Sequence, residues 1–533
     1  MNSAESSVEI AAAINDAVEQ ASGPDASISK KEAVLQISPH QLEAVLHAGF
    51  ENTTRDVLTS GLGASPGAAV GRIVLTADDA MMATDDVILV RQETSPADVH
   101  GMQVAVGILT TRGGLASHAA VVARGWGKPA VCGAENIEIG TDHILINGER
   151  IDVGETLSID GGSGEVIRGA LQTTDVDPIP ALATLLTWAD ELRDLGIRAN
   201  ADTASEAKIA RDNGAEGIGL CRTEHMFLDE QRLPLIRNMI LADTPEQETQ
   251  ALNDLRDTQY NDFAELLEQM DGLPVTVRLL DPPLHEFLPD IDELLEAAAR
   301  NELDEGGEAL LGAAQKWRER NPMIGTRGVR LAWLKPGLYE MQTEALLDAI
   351  SQRIADGGHP VVEIMIPLTV SGKELSGIRQ QIEAVVQGHG STASIKIGTM
   401  IETPRAALVA GELAEHADFF SFGTNDLTQL TFGFSRDDVE SRIMGLYLDE
   451  ELIEANPFQR LDSGAVIELV RLGIERGRTT KADLSVGVCG EHGGDPASIE
   501  LLAAAGVDYV SCSPPRVPIA RLAAAHAAIT DHA

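Results

Sequence analysis

Eight short apolar runs, each followed by a long helical stretch, constrain this chain more than any other feature. They read "GIRANAD" from residue 196, "GIGLCRTEH" from 217, "PVTVRLLD" from 274 and "VVEIMIPL" from 361. The series continues with "IKIGTMIET" from 395, "FFSFGTNDL" from 419, "LSVGVCGEH" from 484 and "VDYVSCSP" from 507. Apolar strands joined by helical crossovers imply a parallel sheet covered on both faces. Eight such units in residues 191–533 imply a (β/α)8 barrel with insertions.

Six of the runs close on polar residues. Asn200 and Asp202, Arg222 and Glu224, Arg278 and Asp281, Glu402, Asn425 and Asp426, and Cys489 and Glu491 all follow the apolar part of a strand. Barrel active sites are built at that end. Arg327, in "NPMIGTRGVRL", and Arg436, in "FGFSRDD", come from loops near the same face. Several arginines around one pocket suit a phosphate beside a carboxylate, because the planar fork binds either bidentately. Glu402 and Asp426 suit an oxygen site for Mg²⁺. Asn425 can hold a phosphate oxygen. Cys489 is mostly protonated near neutral pH and can act as an acid. Together these groups suit an enol phosphate bearing a carboxylate.

Upstream, residues 56–170 read as a compact α/β domain of short strands and Gly/Asp turns. It contains "RGGLASHAAVVARGWGKPAVCG", in which His118 stands between a glycine pair and a small-residue helix. Unpaired N–H groups at such a helix start favour an anion, so His118 could accept a phosphoryl group. It lies outside the barrel, so its domain would have to swing onto it. Residues 171–190 supply a proline-bearing hinge. Residues 1–55 read as an acidic leader with short helices. Ile10, Ile14 and Val18 are spaced for a short amphipathic helix that is expected to fray, and Ser38-Pro39 caps another.

Composition narrows the partners. With 83 acidic against 40 basic residues the formal charge is −43, which excludes a basic nucleic-acid surface and docking on an anionic membrane. The acids are spread along the chain, a pattern suited to a salt-rich cytoplasm. Cys132, Cys221, Cys489 and Cys512 form no CxxC pair and no zinc cluster. No signal peptide or membrane-length apolar run is found, so a cytoplasmic protein is expected.

These motifs, from about Lys30 to the C-terminus and in this order, closely resemble those of the pyruvate, phosphate dikinases. The resemblance implies a swivelling phosphohistidine domain joined to a barrel that binds phosphoenolpyruvate (PEP) and pyruvate. By motif, His118 is the phosphorylated residue, Arg222, Arg278 and Arg327 bind PEP, and Asn425 binds phosphate. Glu402 and Asp426 bind Mg²⁺, and Cys489 is the proton donor. The family also implies a homodimer through the barrel.

The chain departs from the family in several places. That family carries an ATP-grasp domain before the phosphohistidine domain, and the sequence leaves no room for one, so a separate ATP-grasp protein is expected to serve nucleotide and phosphate. Ala116 stands where plant members have a regulatory threonine, which excludes regulation by phosphorylation there, and Thr326 replaces a usual histidine. Enzyme I of the sugar phosphotransferase system shares the architecture but needs a helical docking insertion for which "SPG" to "RGGLASH" leaves no space. A non-catalytic regulatory subunit is the reading from a different class; the complete set of PEP-site residues weighs against it.

Overall fold

The computed structural model describes residues 7–24, 26–50, 55–94, 98–113, 118–173, 179–227, 232–390 and 393–531. All eight apolar runs are strands: β1 (Gly196–Asn200), β2 (Ile218–Arg222), β3 (Pro274–Arg278), β4 (Val361–Ile366), β5 (Lys396–Ile401), β6 (Phe419–Phe422), β7 (Ser485–Val488) and β8 (Tyr509–Cys512). They pair in parallel in sequence order, and β8 pairs with β1 from Gly196↔Tyr509 to Ala199↔Cys512, closing the barrel. Helices cover the outside, where Ile209, Trp333 and Ile354 are among the few large apolar side chains left exposed.

Inside the barrel the side chains form layers. Arg198, Thr276 and Glu363 form a polar layer, with the Arg198 guanidinium 2.7 Å from Glu363 and 3.9 Å above the Tyr509 ring. Leu220, Met365, Met400, Phe419 and Cys489 form an apolar layer. Strand-to-helix turns are set by capping residues that satisfy the first helical N–H groups. Thr203 and Thr403 accept from Glu206 N and Ala406 N, and Asp495 accepts from Ser498 N. Two of the polar strand-end residues, Asp202 and Glu402, directly precede such a cap.

The α/β unit before the barrel is an eight-stranded mixed sheet with a three-stranded antiparallel sheet, 137–139, 143–146 and 149–152, beside it. The leader departs from expectation. Ser7–Ala21 is a helix whose Ile10, Ile14 and Ala17 are buried with Leu42, Leu185, Trp188, Leu522 and Ile529. Its apolar stripe packs on the helices Lys30–Gln36, Pro39–Val45 and Pro180–Leu192, and the expected fraying is not seen because that partner face is present. Within the stretch read as a hinge, Pro180–Leu192 is likewise a packed helix, with Leu185, Leu186, Trp188 and Ala189 buried. The chain entering the α/β unit pairs with the chain leaving it at Phe50↔Thr173.

Candidate active site

The ends of six barrel strands and the loop carrying Arg327 converge on one mouth. Arg222 ends β2 and Arg278 ends β3, Glu402 lies one residue past β5 and Cys489 one past β7. Asn425 and Asp426 lie in the first turn of the helix Thr424–Phe432 that follows β6.

Acids hold the arginines in place. Buried Asp281 accepts from Arg327 Nη2 at 2.5 Å and from Arg327 Nε at 3.2 Å, and forms an ion pair with Arg278 Nη1 at 2.9 Å. Arg278 also pairs with Glu224, and Arg327 Nη1 with Asp426 at 3.2 Å. Buried Asp202 accepts from the Arg222 backbone N–H at 2.6 Å, pairs with the Arg222 guanidinium at 3.1 Å and lies 2.8 Å from His225 Nδ1. Arg436 sits farther along the rim, bidentate to Glu491 at 3.0 Å on both oxygens and bound to Glu440 at 3.0 Å. Asn425 Oδ1 accepts the Glu491 N–H at 3.1 Å.

These pairings fix the charge states. Burial opposes the charge on Arg278 and Arg327, yet Glu224 and Asp281, and Asp281 and Asp426 respectively, hold both guanidinium groups charged. Burial would also raise Asp281, but Arg327 and Arg278 bring its carboxyl below the ordinary range. The opposite holds for Glu402. Burial, then Asp426 and Asp281, push it up to about 8. Asp426 is pushed up too, mainly by burial, against the pull of Arg327. Burial pushes the Cys489 thiol up to about 11, with Ser421 pulling the other way, so it is a neutral acid across the physiological range.

Glu402 Oε1 accepts the Leu368 N–H at 2.6 Å, whereas Oε2 is buried without a hydrogen-bond partner. An unsatisfied carboxylate oxygen beside a second carboxylate is a donor set that a hard cation fits. Among the described residues no group of three or more His, Cys, Asp or Glu gathers as a metal cluster. A cation at this pair would therefore take further oxygens from a ligand, as Mg²⁺ commonly does.

His118 is the first residue of the helix His118–Gly125; its side chain, and Ala116, lie outside the described residues. The far end of this helix meets the barrel. A methyl on Gly127 would lie 3.1 Å from Pro515, in the turn after β8. Arg124 faces Glu491 and Glu43, with Arg516 nearby as a like charge.

A family model described as "PEP-utilising enzyme, PEP-binding domain" matches residues 179–529. The chain belongs to the PEP-utilising enzymes. A second model, "PEP-utilising enzyme, mobile domain", matches residues 83–164, the part that carries His118. The chain is 49% identical over 514 residues to pyruvate, phosphate dikinase 1 of Oryza sativa, covering 93% of this chain and 54% of that one. It is 50% identical over 513 residues to the pyruvate, phosphate dikinase of Rhizobium meliloti, covering 94% and 57%. It thus spans little more than half the length of these relatives.

All the barrel residues singled out in the sequence come to this mouth, although Arg436 is engaged at its rim. The sequence also drew attention to Glu224 and Glu491, and the structure shows them as ion-pair partners of Arg278 and Arg436. Asp281 was visible only as a strand-end acid; its place between two arginines has no signal in the spacing. His492 is fully buried, bonded through Thr424 Oγ1 and the Pro457 carbonyl, and kept neutral by burial. Cys132, Cys221 and Cys512 are buried in the core. No helix among the described residues is long and apolar enough to cross a membrane.

Proposed function

We propose that this protein moves a phosphoryl group between PEP and His118, interconverting PEP and pyruvate as the half-reaction of a pyruvate, phosphate dikinase. The observation that supports this most is the conjunction at one mouth of buried, charge-held arginines, an unsatisfied carboxylate pair and a buried neutral thiol. Arg222, Arg278 and Arg327 bind the substrate's phosphate and carboxylate, Asn425 holds a phosphate oxygen, and Arg436 guards the rim. Glu402 and Asp426 would hold Mg²⁺, which when bound stabilises negative charge on the substrate's enol oxygen.

Transfer breaks the P–O bond of PEP and forms a P–N bond at His118. Cys489 then gives its proton to C3 of the enolate and recovers one from solvent. The small residues around His118 let its loop approach the mouth, and the helix start favours the phosphorylated form. In this reading the domains are 56–170 for phosphohistidine and 191–533 for PEP, with residues 171–190 between them and 1–55 before them. The proposal extends to a cytoplasmic homodimer, joined through the barrel, whose phosphohistidine is served by a separate ATP-grasp protein.

The test is exchange of labelled pyruvate into PEP by the purified chain with Mg²⁺ and no nucleotide. Exchange is expected in the wild type and is lost in His118→Ala. Exchange that persists in that variant would refute the assignment of His118, and no exchange in the wild type would refute the function.

A further inference from the structure

Cys489 lies just past the β-ladder. The last β7–β8 pair is Val488↔Val510, so the Cys489 carbonyl has no strand partner. A buried carbonyl needs one. It comes from β1, which is not adjacent to β7: Asn200 Nδ2 donates to the Cys489 carbonyl at 3.2 Å. The amide is oriented by β8, where the buried Ser511 hydroxyl donates to Asn200 Oδ1 at 2.6 Å. With Oδ1 so engaged, Nδ2 must face Cys489. Room for this arrangement is left on β2, because a methyl at Gly219 would lie 2.6 Å from Ser511 Cβ and Oγ. On its other side Cys489 donates its N–H to the Phe422 carbonyl of β6 at 3.1 Å, and its thiol lies 3.8 Å from the same oxygen.

We propose that Asn200 and Ser511 are positioning residues for the Cys489 thiol, a strut across the barrel's closing seam that aims the acid at one face of the substrate carbon. The inference rests on the reading of Cys489 as proton donor. With both peptides flanking Cys489 tied, the thiol is held over its apolar floor. Without the strut, the turn after β7 rotates and the proton is delivered without facial preference.

Asn200→Asp puts an acceptor where the carbonyl needs a donor. Ser511→Ala is milder and frees the amide to flip. In Asn200→Asp, kcat for PEP–pyruvate exchange is expected to fall roughly 10- to 100-fold with KM held within about twofold, since a positioned acid contributes on that order or more. Formation of phosphorylated His118 from PEP should keep its rate. With PEP tritiated stereospecifically at C3 and turned over in D2O, the pyruvate methyl should be racemic where the wild type gives one configuration. Ser511→Ala should show the same facial scrambling with a smaller loss of rate.

Alkylation of Cys489, mapped by mass spectrometry, reads the strut without any turnover and should change at least threefold in both variants. If the wild type shows no exchange, the functional reading fails while alkylation still tests the strut. Variants that keep facial selectivity and alkylation rate would overturn the proposal. So would a loss of kcat and KM together with a lowered melting temperature, which marks a structural role only.

Discussion

Asp281→Asn is the sharpest perturbation of the mouth. Asp281 is fully buried between Arg278 and Arg327, accepting two hydrogen bonds from Arg327 at 2.5 and 3.2 Å and pairing with Arg278 at 2.9 Å. Removing one member of a buried ion pair costs about 3–5 kcal/mol, because the remaining charge stays buried. Here Arg278 keeps Glu224 and Arg327 keeps Asp426, and the amide still accepts through Oδ1. The expected loss is therefore at the low end, about 3 kcal/mol.

Its pH dependence has a definite sign. The folded carboxyl titrates below its unfolded value, since Arg327 and Arg278 outweigh burial. Its contribution is thus complete above the unfolded pKa of about 4 and is lost as pH falls through the folded value. The gap in stability between wild type and Asp281→Asn should close as pH falls below about 4. Urea unfolding of the full chain measures it, followed by the fluorescence of a barrel tryptophan such as Trp333, because the domains need not unfold together. A gap below about 1 kcal/mol, or one that widens in acid, would falsify the view that the carboxylate holds the two arginines.

Other outcomes follow from the same structure. Ile14→Ala empties a fully buried site in the leader helix and should cost about 2–5 kcal/mol, seen as early melting of that helical layer by hydrogen exchange. Arg124→Met and Glu491→Gln change one contact with opposite expected signs: burial and Arg516 disfavour the Arg124 charge more than Glu491 and Glu43 favour it, so its loss closes the molecule, whereas loss of the Glu491 charge removes attraction and opens it. Small-angle scattering at low salt reads the difference, and equal shifts for both would discount the charge argument. The Cys489 thiol, at about 11, is active when protonated, so single-turnover pyruvate formation should hold to about pH 9 and fall as pH rises through 11. With a formal charge of −43, the melting temperature should rise in molar KCl.

Much of this was legible in the chain because barrels write their chemistry at strand ends. Eight apolar runs of four to six residues, six of them ending on polar residues, placed Arg222, Arg278, Glu402 and Cys489 on one rim. Pairwise partnerships were not legible. Nothing in the spacing says that Asp281 joins two arginines or that Asn200 reaches past β8 to Cys489, 289 residues on. The leader misled for a related reason. Its apolar stripe was visible, but the surface it covers is supplied by residues near 185 and 525, and the bond from His526 Nε2 to the Val34 carbonyl at 2.9 Å spans 492 positions.

The bridge between Phe50 and Thr173 ties together the chain entering the α/β unit and the chain leaving it. A body held by one strand can explore a sphere, whereas one held by two neighbouring strands is confined to an arc. The helices on either side, Pro39–Val45 and Pro180–Leu192, share one packed layer, so the pivot of that arc belongs to the barrel. Confinement of this kind sets a local concentration that a partner in free solution reaches only in the millimolar range or above. A detached α/β unit added to the barrel should therefore be a poor substitute for the tethered one.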